Sequence, residues 1–177
     1  MNTKKEKIIK ISKILNVLLK IGAIISVAAA VAAMVIAIIA PSLDLTLFSY
    51  GGIWLNTQFD GNVDEIRAIL VPEILNGTLM ASILFVASSI FKDMSHANTP
   101  FIQKNAIRLK VISLFLIAFG VFIQPLRMLL VLVFVSPQSD IFFSINLGYL
   151  VFAAVFFSLA LIFEYGAELQ RESDETL

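Results

Sequence analysis

The chain consists of long apolar runs separated by short polar segments. Four of these runs are each long enough to cross a hydrocarbon core, which takes about 20 helical residues. They cover residues 21–43, 68–91, 111–135 and 141–163. The pattern predicts an all-α integral membrane protein, a four-helix bundle running antiparallel up-down-up-down, in a single membrane domain over residues 1–177. The first run is longer than the apolar core of a signal peptide, roughly 7–15 residues, so we expect an uncleaved span.

Residues 1–20 form a basic lead-in to the first span. On a helical projection, isoleucine and leucine side chains share one face and Lys7, Lys10, Lys13 and Lys20 share another. This is the pattern of an amphipathic helix that lies at a membrane surface. Two interpretations stay open: the lysines act only as topology signals and headgroup anchors, or they form a specific site for anionic lipid or protein.

Small residues recur at four-residue spacing in the first span. Ser26 and Ala30 are one such pair, and Ala29, Ala33 and Ala37 continue the pattern. Small side chains at this spacing let helix backbones approach closely in lipid. We therefore expect this span to pack against another helix.

Basic residues are distributed unevenly between the two sides that four spans define. The lead-in, the polar island Lys92–Lys110 and the tail 164–177 fall on one side and hold 11 of the 13 Lys and Arg residues. The other side holds Arg67 and Arg127. The positive-inside rule then predicts a multi-pass protein of the bacterial cytoplasmic (inner) membrane with both termini cytoplasmic.

The island and the tail carry opposite net charge. The island is basic, and the tail 164–177 has five acids and one arginine. We expect the tail either to pair with the island in the same chain or to dock another protein. Within the island, Thr99-Pro100 predicts an N-cap and first helical residue, with a helix running from Phe101 into the third span.

Glu73 and Arg127 are the ionisable residues most closely flanked by apolar sequence. Counted from the ends of their spans at about 1.5 Å per residue, both lie near the outer end of the membrane core. Intramembrane charges of this kind are candidates for function. Three interpretations remain: both side chains extend to the outer headgroups, they pair between helices with Gln124 nearby, or they form a ligand or ion site.

Few residue types needed for catalysis are available. The chain has no cysteine and a single histidine, His96, and its aspartates lie outside the apolar runs. None of the H-E-x-x-H, P-loop, G-x-G-x-x-G or G-x-S-x-G motifs occurs. We therefore expect a non-enzymatic protein with no metal and no cofactor. The basic residues lack the interleaved aromatic side chains of a nucleic-acid site, so we expect no direct nucleic-acid binding.

Two polar segments carry a family resemblance. TPFIQKNAIRLKVIS (Thr99–Ser113) has a proline and phenylalanine, then an asparagine, then an Arg-Leu-Lys cluster entering a helix. FEYGAELQRESDETL (Phe163–Leu177) has Phe, Gly, Leu-Gln, Ser-Asp and Thr followed by an apolar residue. With the four-span layout, these segments resemble the bacterial membrane family catalogued as domain of unknown function 2975. Glu175 departs from the pattern, which more often has an apolar residue there.

The resemblance implies a small integral membrane protein, often encoded beside a small helix-turn-helix regulator. The first hypothesis is therefore a membrane partner of such a regulator. The resemblance and the topology place its contact surface at Lys104, Asn105, Arg108, Gln170, Ser173, Asp174 and Thr176. The alternative hypothesis is a small transporter or immunity-type membrane protein that uses the Glu73/Arg127 pair in the bilayer.

Overall fold

The computed structural model describes residues 3–39, 63–96, 101–134 and 145–175. The described residues form helices and no strand. The helices are α1 (Thr3–Ile39), α2 (Val63–His96), α3 (Gln103–Ala118), α4 (Gln124–Phe134) and α5 (Leu147–Glu175), with a π-helical turn, Phe119–Ile123, between α3 and α4.

The four predicted spans correspond to four helical segments that are long and apolar enough to cross a membrane. These segments are Glu6–Ile39, Leu70–His96, Gln103–Leu130 and Leu147–Glu175. Their outward surfaces carry many exposed large apolar side chains, such as Ile24 (68% exposed) and Leu114 (63% exposed). Hydrocarbon is the solvent in which such surfaces are stable. The described part of the protein is therefore all-helical and of the membrane type.

From Thr3 onward the lead-in is helical, as its pattern predicts, but it is not a separate helix. α1 continues without a break from Thr3 to Ile39. At about 1.5 Å per residue it is roughly 55 Å long, well beyond a core of roughly 30 Å. The lead-in contains no glycine or proline that would end a helix, which explains why it continues into the span.

The small residues of α1 contact α2, as predicted. A Cβ added to Gly77 of α2 would lie 3.0 Å from the Ala30 Cβ and 3.1 Å from the Ser26 carbonyl oxygen. Ala23, Ala30 and Ala33 are buried. The contacts Gly22–Leu84, Ala30–Gly77 and Ala37–Arg67 run in opposite order along the two helices, so α1 and α2 are antiparallel.

The third helix begins later than Thr99-Pro100 predicts. Thr99 and Pro100 lie outside the described residues. Ile102 has extended backbone angles, and its carbonyl accepts the first helical hydrogen bonds, from the amides of Asn105 and Ala106. Phe101 therefore precedes the helix, and the prediction of a helix from Phe101 is wrong by two residues. The reason is tertiary, because the Phe101 ring packs on α5.

The third span is helical but not uniformly α-helical. Pro125 has no amide hydrogen and its ring crowds the carbonyl of the preceding turn. A π-helical turn precedes it, at Phe119–Ile123. Gly120, in this turn, accepts a hydrogen bond from the Asn146 amide at 3.1 Å, and Phe119 stacks on Tyr149 with centroids 5.2 Å apart. The irregular turn is therefore the site where the start of α5 docks.

The apolar core lies where α2, α3 and α5 meet. Its buried members are Ile90, Leu109, Ile112, Leu116, Ala153 and Ala160. Among the described helices, α1 packs on α2 alone, while α2 also packs on α3 and α4, and α3 packs on α5. α5 continues past Phe163 to Glu175, so most of the acidic tail extends the fourth span as helix.

Candidate functional site

The charged ends of α2 and α3 are joined by the Arg108 cluster, which comprises Arg108, Asp93, Ser89 and Asn105. The Arg108 guanidinium forms an ion pair with Asp93 at 2.5 Å. It also donates to the Ser89 carbonyl oxygen at 3.2 Å and to Asn105 Oδ1 at 3.0 Å. The Arg108 and Asp93 side chains are 28% and 29% exposed. Arg108 therefore connects the end of α2 to the first turns of α3.

A second set of contacts joins the island to the beginning of the tail. Lys110 Nζ lies 2.7 Å from Glu164 Oε2, and Gln103 donates to Glu164 Oε1 at 3.4 Å. The predicted pairing of island and tail is thus present at Glu164. Since Glu164 is 54 residues from Lys110 in the chain, this contact depends on the antiparallel packing of α3 and α5.

Phe101 brings the two signature segments together. Its ring packs edge-to-face on Phe163, with centroids 5.3 Å apart. It also covers Gly166, where an added Cβ would lie 2.6 Å from Phe101 Cδ1. Any side chain at position 166 would displace the ring. The phenylalanine of the first signature and the phenylalanine and glycine of the second are therefore one packing unit.

Beside this unit lies an open groove, the tail groove, of about 770 Å³. One wall is the segment from Phe101 to Gln103. The other is a face of α5 that comprises Glu164, Ala167, Glu168, Gln170, Arg171 and Asp174. Arg171 forms an ion pair with Glu175 at 3.1 Å. Within the described residues, Glu168 and Asp174 form no ion pair, so their carboxylates are available to a ligand with basic groups.

The structure divides the predicted contact residues between these features. Gln170 and Asp174 line the tail groove, and Ser173 is exposed on the same helix. Lys104 is exposed on α3. Thr176 lies outside the described residues.

Asn105 and Arg108 have a different environment. Asn105 is fully buried, at 0% exposure, and Arg108 binds Asp93. Arg108 joins α3 to α2, and Asn105 accepts a hydrogen bond from Arg108. Their polar groups are therefore directed into the protein, unlike those of Lys104, Ser173 and Asp174.

The sequence prediction did not include Phe101, Gln103, Glu164 or Glu168 among the contact residues. All four lie within the signature segments, but only Phe101 is a pattern residue, so the resemblance was a usable signal for Phe101. Gln103, Glu164 and Glu168 carry no local signal, because their place in the groove follows from the register of α3 on α5.

Glu73 has a partner within its own helix. Asn76 Nδ2 donates to Glu73 Oε2 at 3.0 Å. Arg127 is half-buried in α4, which packs on α2. Within the described ranges, no ion pair joins Glu73 to Arg127, and Gln124 bonds to neither. The Glu73/Arg127 site remains a sequence prediction.

The described residues contain no group of three or more His, Cys, Asp or Glu side chains that could hold a metal ion. His96 lies at the end of α2, where its Nδ1 is 2.8 Å from the Lys92 carbonyl oxygen and 3.0 Å from Ser95 Oγ. This histidine therefore bonds within its own helical turn.

A protein-family profile described as "Protein of unknown function (DUF2975)" matches residues 54–177. The matched range includes both signature segments and α2 to α5, and it begins after α1. No curated protein matches the chain. No solved structure matches it either.

Proposed function

The chain belongs to the DUF2975 family of proteins of unknown function, and from this premise we propose that it is a non-enzymatic membrane protein that binds a cytoplasmic partner through the tail groove. The proposed partner is a small helix-turn-helix transcriptional regulator, by the association that the family resemblance implies. The protein acts as a membrane anchor for that regulator, and the anchor needs no cofactor or metal.

The proposed location is the bacterial cytoplasmic membrane, with both termini and the island in the cytoplasm in an up-down-up-down bundle. The positive-inside rule supports this orientation, because 11 of 13 basic residues fall on the island side. In that orientation the Arg108 cluster and the tail groove both face the cytoplasm. A DNA-binding regulator is in the cytoplasm, so it can reach the protein only from this side.

The observation that carries the proposal is the construction of the tail groove. Its base is held by two long-range contacts, Phe101 on Gly166 and Lys110 with Glu164. Its open side presents Gln170, Glu168 and Asp174. A firmly held base with available carboxylates suits a partner with a basic surface, since opposite charges favour encounter and register.

The test is co-purification in detergent of the chain with a co-expressed helix-turn-helix regulator. Wild-type chain is expected to retain the regulator. Asp174→Lys reverses a charge in the groove and is expected to reduce retention at least about tenfold, since like charges at an interface cost several kcal/mol. Glu6→Lys is the matched control, because it makes the same charge change at an exposed position near the start of α1.

Two outcomes would contradict the proposal. If the wild-type chain never retains a regulator, the partner is wrong. If Asp174→Lys and Glu6→Lys retain it equally well, the tail groove is not the binding surface.

A further inference from the structure

A second groove, the apolar groove, runs between α1 and α2 and has a volume of about 810 Å³. Its α1 wall includes Ile24, Val31 and Met34, and its α2 wall includes Ile74 and Phe85. It is open because α1 packs on α2 alone among the described helices. The groove lies along membrane-type helices, so its opening faces hydrocarbon.

The two hydroxyl groups that line the apolar groove are already hydrogen-bonded within α2. Thr78 Oγ1 donates to the Ile74 carbonyl oxygen and Ser82 Oγ donates to the Thr78 carbonyl oxygen, both at 2.8 Å. These bonds keep each hydroxyl proton within α2. The groove therefore suits a hydrocarbon chain and not a polar solute.

One end of the groove is basic. Lys20 lines it, and Lys13 lies seven residues earlier, which places both on the same face of α1. On α2, Lys92 lies seven residues after Phe85 and shares its face. The antiparallel register given by Ala30–Gly77 and Gly22–Leu84 places Lys92 at the level of Lys13. All three lysines are exposed, and none forms an ion pair within the part of the chain that is described.

From this arrangement we propose that the apolar groove binds an anionic phospholipid. One acyl chain occupies the groove, and the phosphate lies among Lys13, Lys20 and Lys92. From Lys20 to Met34 the groove extends roughly 21 Å at 1.5 Å per residue. One leaflet provides about 15 Å of hydrocarbon, half of a core of about 30 Å, so an acyl chain fits within the groove.

The charges also favour a lipid over a second copy of the chain. Two copies with the same orientation in the membrane, joined groove to groove, would bring their lysine clusters to the same level. Like charges that face each other oppose such a dimer. An anionic headgroup instead neutralises the cluster, and each basic residue near an anionic surface strengthens its attraction about fivefold.

The test uses the absence of native cysteine. A fluorophore is attached to Ser82→Cys, in the groove, and the protein is placed in nanodiscs. The loss of its fluorescence is compared between brominated phosphatidylglycerol and brominated phosphatidylcholine. The anionic lipid is expected to quench at a mole fraction at least about fivefold lower than that of the zwitterionic lipid, since each lysine of the cluster contributes about that factor. Phe152→Cys, 60% exposed on α5, is the matched control, where the two lipids are expected to quench equally.

A charge test separates the groove site from general attraction to lipid. Lys20→Gln with Lys92→Gln removes two lysines of the cluster and is expected to remove most of the preference at Ser82→Cys, with only the contribution of Lys13 left. Lys7→Gln with Lys10→Gln removes the same charge nearer the start of α1, farther along the helix from the groove, and is expected to preserve the preference. Circular dichroism confirms that each variant is folded.

Three results would overturn the proposal. Equal quenching by both lipids at Ser82→Cys shows no specific site. Equal effects of the two double substitutions show only surface attraction. The third result is weak quenching at Ser82→Cys by both lipids, which becomes stronger when each nanodisc holds a single copy of the protein. That result would show that a second chain covers the groove.

Discussion

At the scale of single residues, long-range partners decide what each polar side chain does. Asn105, Arg108 and Lys104 belong to the same signature, yet Asn105 is buried, Arg108 joins two helices and Lys104 is exposed. Asn105 is buried and accepts a hydrogen bond from Arg108, which binds Asp93. A polar residue of this kind stabilises the position of the surface beside it.

The Arg108–Asp93 contact gives a prediction about stability. Arg108→Gln is expected to lower the free energy of unfolding by about 1.5–3 kcal/mol, the range for hydrogen bonds to charged groups that are partly buried. Lys104→Gln, at an exposed position one turn earlier, is expected to change it by less than about 0.5 kcal/mol. The measurement is unfolding in detergent followed by circular dichroism. Equal losses for the two variants would contradict the structural role of Arg108.

A double-mutant cycle sharpens this prediction. If Arg108 and Asp93 act as a pair, Arg108→Gln with Asp93→Asn should destabilise the protein by less than the sum of the single changes. Strict additivity would mean that each side chain acts on other groups.

At the scale of the helices, close approach of backbones explains where small residues occur. Ser26 and Ala30 of α1 lie against Gly77 of α2. Helix association in lipid depends on packing, because lipid tails are as apolar as the side chains that they replace. The small-residue surface is therefore where α1 and α2 approach most closely among the contacts given for the two helices.

Gly77→Ala is expected to weaken the α1–α2 contact. Its new methyl group meets the Ser26 carbonyl at 3.1 Å and the Ala30 methyl at 3.0 Å, and a backbone atom cannot move aside cheaply. We expect a loss of about 1–3 kcal/mol, the range for overpacking, measured as stability in detergent.

Gly22→Ala is the control from the same interface. Its methyl group meets only the Leu84 Cδ1 at 3.3 Å, which is the end of a flexible side chain. Alanine is also a better helix former than glycine by roughly 1 kcal/mol, so this variant is expected to be neutral or slightly stabilised. A stabilised Gly77→Ala protein would contradict the packing argument.

At the scale of the whole molecule, the proposed orientation relates the grooves to the two sides of the membrane. The tail groove and the basic end of the apolar groove both lie toward the cytoplasm in that orientation. The proposed protein partner and the proposed lipid headgroup are then both on the inner face. Glu73 lies toward the opposite face. The bilayer site of the alternative hypothesis is therefore spatially separate from the tail groove and from the basic end of the apolar groove.

Single cysteines test the orientation directly, because the natural chain has none. In intact cells, a membrane-impermeant maleimide is expected to label Arg67→Cys and to leave Lys10→Cys and Ser173→Cys unlabelled. All three should react after permeabilisation. Labelling of Ser173→Cys in intact cells would contradict a cytoplasmic C-terminus.

The sequence alone determined the all-helical membrane class, the number of spans and the family. These properties depend on the length and composition of each apolar run and on short motifs, which are local. The small-residue contact of α1 was also predictable, since close packing in lipid demands small side chains at four-residue spacing. The family profile and the four long apolar helices confirm these predictions.

The tertiary structure decided what depends on register between distant segments. It placed Phe101 over Gly166, delayed the start of α3, paired Lys110 with Glu164 and buried Asn105. It also continued the lead-in and the tail as parts of long helices. Helical periodicity identifies the face of the helix on which each residue lies, but it does not identify the helix that packs against that face. Both grooves form between particular pairs of packed segments, so only the tertiary structure could reveal them.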